Sequence, residues 1–206
     1  MDKITAADRP TAADWLERLI LFALWGWLLG RIAPTLAQHP FNLLLLVSDG
    51  LIVALVLLRH PTQAITRKSV DWLLALAGTG APLLAVGGGH PLVPPGVGNS
   101  LMAVGVILSF SAKLVLWRSF GVVPANRGVK RHGPYRFVRH PMYLGYVITQ
   151  VGFALLNPVW SNFLIYGVTF VFQIMRMRAE EAVLSRDPVY MAYMDAVKYR
   201  LAPGLF

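Results

Sequence analysis

Six apolar stretches, each close to the ~20 residues a helix needs to cross a bilayer, decide what this chain can fold into. They run from Trp15 to about Ala37, Phe41 to Leu58, Val70 to Val86, Asn99 to Trp117, Pro141 to about Leu156 and Val159 to about Met175. Charge or proline bounds the runs, and only Asn157 and Pro158, a turn signal, separate the last two. Polar backbone groups in hydrocarbon must pair within the protein, so such stretches become helices. The expected fold is all-α: a polytopic membrane helical bundle of five to six transmembrane helices with a cytoplasmic C-terminal helical tail. In the five-span version the last hairpin inserts without crossing, and every basic loop keeps its side. Residues 1–117 carry the N-terminal transmembrane helices. Residues 118–206 carry a cytoplasmic loop, the helical hairpin and the tail.

Composition agrees with a membrane. The 206 residues are 56% hydrophobic, with a mean hydropathy of +0.55, too apolar for a soluble domain. The formal charge of +9 raises the question of a nucleic-acid partner, but only 14% of residues are charged and the basic ones are sorted by position. All of the 19 Lys and Arg except Arg31 and Lys113 fall in the N-terminal stretch up to Arg18, between the second and third spans, between the fourth and fifth, or after the sixth. The Gly- and Pro-rich connection from Gly87 to Gly98 has none. Lys and Arg are enriched in cytoplasmic loops, so six spans put both termini in the cytoplasm, and no nucleic-acid partner is expected. With no cysteine, disulfides, thiolate metal sites and cysteine nucleophiles are excluded, and no metal is expected. Asp2, Asp8, Asp14 and Glu17 make a poor positive leader for a signal peptide.

Chemically capable residues gather in two places. The first is Arg127 to Tyr143, ending at the mouth of the fifth span. Pro141 suits the first turn of a helix, which makes His140 the N-cap position, and a helix N-terminus is a natural seat for a carboxylate. The second is Arg176 to Glu181, directly below the sixth span. The two arms of the hairpin have equal reach from the Asn157–Pro158 turn, so His140 and Glu180 are expected to be neighbours. Arg176 and Glu180 share a helical face, while Glu181 turns toward another. Asp187 and Pro188 can then cap a short helix carrying Tyr190, Tyr193, Met194 and Val197 as an amphipathic stripe, able to lie on the membrane or cover a pocket.

Plainer readings stand beside these. Arg67, Lys68, Lys130 and Arg186 read as topology determinants and lipid headgroup contacts. Adjacent glutamates can be a solvated face, a His-Pro can be only a cap, and Trp15, Trp117, Trp160 and Tyr143 can be interface anchors. Asp49 and Lys113 lie inside spans, where charge is costly, and read as a mutual pair or as a polar cavity wall.

Gly133-Pro134-Tyr135-Arg136, followed by Arg139-His140-Pro141-Met142-Tyr143-Leu144-Gly145, resembles the signature of the integral membrane methyltransferases related to isoprenylcysteine carboxyl methyltransferase and the phospholipid N-methyltransferases. The tail adds Arg176, Glu180, Glu181, Tyr190, Tyr193, Val197 and Pro203, similar to that family's C-terminal pattern. The resemblance covers roughly Phe120 to Pro203 and makes residues 118–206 a methyltransferase core. It implies methyl transfer from S-adenosylmethionine to a lipophilic acceptor, either a carboxylate of the prenylcysteine kind or a lipid amine. It also implies that Tyr135, His140, Pro141, Tyr143, Gly145, Glu180 and Glu181 bind the cofactor. Chemistry adds that Arg176, Arg139 or Arg200 can grip a carboxylate acceptor, with Tyr190 and Tyr193 toward the substrate. Membrane lipids are the remaining expected partner. The rival readings are a non-enzymatic transport or binding protein using Asp49 and Lys113, and a membrane scaffold without a small ligand.

Overall fold

The computed structural model describes residues 12–37, 42–59, 62, 65–66 and 68–204. Lys3, Arg9 and Arg67, counted above among the inner basic residues, lie outside the described residues, as do Asp2, Asp8 and Phe41. Among the described residues the chain forms seven α-helices and no β-strand. They are α1 (Ala12–Ile32), α2 (Asn42–Leu58), α3 (Ser69–Gly80), α4 (Pro95–Leu116), α5 (Pro141–Leu156), α6 (Trp160–Leu184) and α7 (Pro188–Ala196).

The boundaries follow the apolar runs, with departures that proline and charge explain. α1 gives way at Ala33–Thr35, and α3 at Ala81–Leu84, to a 3-10 turn with a proline near its start, where the missing amide ends the α-helical ladder. α4 begins at Pro95, before the expected Asn99, because proline is tolerated in a first turn. α6 runs past Met175 to Leu184 and so carries the charged segment Arg176–Glu181 as helix. Asp187 caps α7 by accepting from the Val189 amide, with Pro188 in the first turn.

The helices alternate in direction between two ends. At one end Arg59 pairs with Glu17, the Thr66 amide donates to Pro124 and His140 meets Glu181, which gathers the starts of α1, α3 and α5 with the ends of α2, α4 and α6. At the other, Arg31 donates to the Leu83 carbonyl, Asn162 bridges to Val86 and the Leu92 amide donates to Leu155. The largest buried cluster lies toward the first end, around Phe120, Val122, Tyr135, Met142, Tyr143, Met177, Tyr190 and Tyr193. Large apolar side chains, including Leu19, Phe22, Leu73, Ile107, Leu164 and Val171, cover the outer faces. Pro95–Ser119 is the described helical stretch that is long and apolar enough to cross a membrane by length and composition; Leu46–Leu58, Ser69–Leu84 and Pro141–Leu156 are shorter apolar helices.

The last two apolar stretches do not form a self-contained hairpin. α5 packs along the length of α4 and touches α6 far less. Small residues make this possible: a Cβ on Gly145 would lie 2.6 Å from the Gly105 carbonyl oxygen and 2.6 Å from the Ser109 amide, and one on Gly152 would lie 2.9 Å from the Gly98 carbonyl. Small residues at such spacing let two backbones touch, which is how helices associate where lipid removes the hydrophobic drive.

Candidate active site

His140 takes the N-cap position of α5, yet its side chain makes no cap bond. Its amide donates to the Arg200 carbonyl at 2.8 Å, and the Arg139 amide to the Tyr199 carbonyl at 2.9 Å, so the C-terminal segment lies along the start of α5. The imidazole instead faces α6, with Nε2 3.2 Å from Glu181 Oε1 and Nδ1 3.8 Å from Glu180 Oε2. The neighbourhood of His140 and Glu180 expected from equal arm lengths is present. Glu181 differs from its expected placement: it faces the same imidazole, because His140 sits over the gap between two consecutive positions of α6.

The two carboxylates have different surroundings. Glu181 is enclosed by Arg139 Nε at 3.0 Å, Arg200 Nε and Nη2 at 2.8 Å, and His140. Burial works to raise its carboxyl, but the His140 hydrogen bond and the two guanidiniums hold it below the usual carboxylate range. Glu180 accepts a hydrogen bond from the Tyr143 hydroxyl and lies 3.9 Å from Arg176 Nη2. Its second oxygen, Oε2, has the Nδ1 contact at 3.8 Å, longer than a hydrogen bond.

Glu180 lines a cleft walled by Tyr135, Arg139, His140, Met142, Tyr143 and Tyr190. Tyr135 sits in the 3-10 turn Gly133–Arg136, and its carbonyl accepts from the Tyr193 hydroxyl at 2.7 Å. Burial, reinforced by Glu180, pushes the Tyr135 phenol well up, and burial raises Tyr193 to about 12, so both stay protonated donors at neutral pH. Tyr190 packs edge-on against Tyr193 at 5.7 Å. Arg127 also reaches the cleft; burial and the Arg59 charge bring its guanidinium down to about 10, still cationic at neutral pH. Pro141 is buried at the helix start, and Gly145 faces α4; neither lines the cleft.

A second, larger cavity of about 840 Å³ extends from Arg31, Pro95 and Asn157 at the far end to Phe120, Val122, Met142 and Arg176 beside the cleft. Asp49 and Ser48 line it, whereas Lys113 donates to the Ser48 carbonyl and hydroxyl at 3.0 and 2.8 Å rather than gripping Asp49. Asp49 is thus a cavity-wall residue, and Lys113, though not in direct contact with it, is the opposite charge that acts on it, so both readings of that pair apply. Arg176 lines the large cavity and lies 3.9 Å from Glu180, which lines the cleft. It donates to the Val122 carbonyl at 2.8 Å and to Thr79 at 3.3 Å, and lies 5.3 Å from the Tyr143 ring centroid. Among the described residues, Arg176 Nε and Gln173 Oε1 are buried without a hydrogen-bond partner, and both side chains line this cavity. Arg139 and Arg200, by contrast, direct their guanidiniums to Glu181.

The segment Phe120–Pro124 forms the wall between the two spaces. Phe120 and Val122 line the large cavity, while Gly121, Val123 and Pro124 line the cleft; Met142 lines both. This wall, and the buried cluster of Asp14, Glu17, Arg59 and Arg127 behind it, were not singled out from the sequence. One signal was present: Asp14 and Glu17 lie three apart near the start of an otherwise apolar run, on one helical face.

Comparison with curated proteins gave no match. Comparison with family models gave one, described as phospholipid methyltransferase, over residues 95–190. That stretch holds α4, the partition, α5, α6 and the start of α7, and with them Tyr135, Arg139, His140, Tyr143, Glu180, Glu181 and Tyr190; Tyr193 and Arg200 follow it. The stretch matched, Pro95 to Tyr190, overlaps the resemblance read over Phe120 to Pro203 from Phe120 to Tyr190, and over it the chain matches the phospholipid methyltransferase family.

Proposed function

We propose that this protein is an integral membrane methyltransferase that moves a methyl group from S-adenosylmethionine, held in the cleft, to a lipophilic acceptor whose head lies at the Arg176 end of the large cavity. The observation that carries the reading is that the two spaces adjoin at Met142, which lines both, with Tyr143 and Glu180 on the cleft side and Arg176 on the cavity side, 3.9 Å from Glu180. The alternating helix directions, the apolar outer faces and the gathering of basic residues at the cleft end support a six-span chain with both termini on the cytoplasmic side.

The residues fit the cofactor's chemistry. Glu180, with an oxygen lacking a close partner, suits an ammonium or ribose hydroxyls; His140, Arg127 and Lys130 suit a carboxylate; Tyr135 and Tyr190 offer flat walls for a purine. S-adenosylmethionine supplies an electrophilic methyl on a sulfonium whose charge disappears on transfer. The protein's task is therefore alignment and exclusion of water. Tyr143 holds Glu180 from α5, Arg176 is placed to hold the acceptor head beside the cleft, and Met142, which lines both spaces, is apolar. A carboxylate acceptor needs no base, and the unpartnered Arg176 Nε is available to its oxygen. An amine acceptor must first lose a proton, for which Glu180 is the nearest carboxylate on the cleft side.

The test is to reconstitute the protein in lipid, titrate S-adenosylmethionine by calorimetry, and follow radiolabelled methyl into lipid. Binding is expected, label should enter the lipid fraction, and Glu180→Ala should remove both. Calorimetric silence of the intact protein in lipid overturns the proposal. Release of the label as methanol by base identifies an ester, and base-stable label an amine. A transport reading draws on Asp49 in the cavity wall. It expects Asp49→Asn to abolish activity and His140→Ala to be tolerated, the reverse of what methyl transfer expects.

A further inference from the structure

From the Phe120–Pro124 partition and its anchorage we infer that Glu17, on the first helix, is a positioning residue for methyl transfer: it fixes the peptide that runs between the cleft and the large cavity, and it orients Arg176. The inference rests on the methyltransferase reading. Glu17 is 0% exposed, although it lies near the start of an apolar helix. Its Oε1 accepts from the Val122 amide at 3.0 Å and from the Val123 amide at 3.4 Å, while Oε2 pairs with Arg59 Nη1 at 2.7 Å. Arg59 also grips Asp14, and Arg127 Nη2 lies 3.6 Å from the same Asp14 oxygen. The four charges sum to zero, so each buried charge has its counter-charge, and the loss of one partner leaves another uncompensated.

What the anchor holds is the reason for assigning it a role in the reaction. The peptide whose amides Glu17 receives offers the Val122 carbonyl on its other side to Arg176 Nη2 at 2.8 Å. Arg176 in turn stands 3.9 Å from Glu180 and over the Tyr143 ring. One hydrogen-bonded path thus runs from the first helix to Arg176. The segment is irregular, with bends at Val122 and Val123, so no helical or sheet ladder fixes those amides. A carboxylate taking two adjacent amides fixes the height and tilt of the wall. In-line transfer depends on the distance between methyl carbon and acceptor atom, and a shift of about 1 Å from a change remote from the chemistry can cost about a hundredfold in rate.

The experiment uses the full-length protein in lipid with S-adenosylmethionine and the acceptor that takes the label. Glu17→Ala should lower kcat by about tenfold to a hundredfold, with the KM for S-adenosylmethionine within about threefold of wild type, because Glu180, His140 and Tyr135, on the other walls of the cleft, stay in place. Glu17→Gln, which keeps an oxygen for the two amides, should recover most of the loss. Hydrogen exchange of the peptide spanning 120–124 should quicken in Glu17→Ala and return toward wild type in Glu17→Gln. If alanine does not fold, Glu17→Asp keeps the charge for Arg59 but draws the carboxylate back from the amides, and should show the same split at reduced size. Unchanged kcat per folded molecule, a kcat loss equal in the alanine and glutamine variants, or unchanged exchange overturns the inference. A wild-type protein that binds no S-adenosylmethionine removes the methyltransferase reading and the inference with it; active wild type with an insensitive Glu17 removes the inference alone.

Discussion

The Tyr143 hydroxyl of α5 donates its hydrogen to Glu180 of α6, and the same phenol ring lies under the Arg176 guanidinium. One side chain therefore sets both the carboxylate facing the cleft and the cation facing the large cavity. Tyr143→Phe keeps the ring and removes the donor. A hydrogen bond to a charged group is worth about 1.5–3 kcal/mol, so kcat/KM for methyl transfer should fall by about tenfold to a hundredfold with little change in thermal stability. Steady-state kinetics beside a melting curve checks this; an equal loss in Tyr143→Phe and Tyr143→Ala would instead assign the effect to the ring.

Glu181 serves the tail. It joins Arg139 at the start of α5 to Arg200 in the C-terminal segment, so Arg200→Ala should leave the cleft residues in place while residues near 197–201 become open to protease. Protection equal to wild type in a limited-digestion time course would contradict this.

The same carboxyl gives a pH dependence. Its folded-state value lies below the usual 4.5, so near and below that pH the unfolded chain binds more protons than the folded one. The stability Glu181 contributes is complete at neutral pH and is lost as pH falls through the folded-state value. Melting temperature in lipid should therefore drop more steeply below about pH 5 in wild type than in Glu181→Gln, which has no proton to take up. Parallel curves for the two proteins would remove Glu181 as the cause.

Gln173 tests the large cavity. A buried amide oxygen without a partner carries an unmet cost of about 1–3 kcal/mol, which a bound acceptor head can relieve. Gln173→Leu should raise the acceptor KM by about tenfold and leave S-adenosylmethionine binding unchanged. A purely structural orphan predicts the opposite pattern, a more stable protein with the same KM.

Gly145→Ala should destabilise the α4–α5 pair by about 1–3 kcal/mol, since no rotamer can remove a Cβ from the Gly105 carbonyl and the Ser109 amide. Gly26→Ala and Gly30→Ala, with nothing within 4 Å of the added carbon, should be neutral or slightly stabilising. Denaturation in detergent ranks the three, and equal effects would refute the close contact.

The helices were legible because apolar runs, prolines and the Asp187–Pro188 cap act within a few residues of where they stand. So was the meeting of His140 with Glu180, which follows from the lengths of two chain segments and one turn. The pairing of α5 with α4 was less so, though the small residues Gly98, Gly105, Gly145 and Gly152 carried its signal. The bond from Glu17 to the Val122 and Val123 amides was not legible at all, because a backbone amide has no side-chain type to betray it and over a hundred residues intervene. Glu181 was assigned to another face for a related reason: helical periodicity fixes an angle on α6 but not the breadth of the group opposite it.

The touch of Gly105 on Gly145 bears on how the large cavity is bounded. With backbone against backbone at Gly105 and Gly145, α4 and α5 are already as close as two helices can come, and Thr149, Leu156 and Met102 pack around Gly105, Gly98 and Gly152 in turn. They form the fixed bank of the cavity, and α1, α2, α3 and α6 supply the bank opposite.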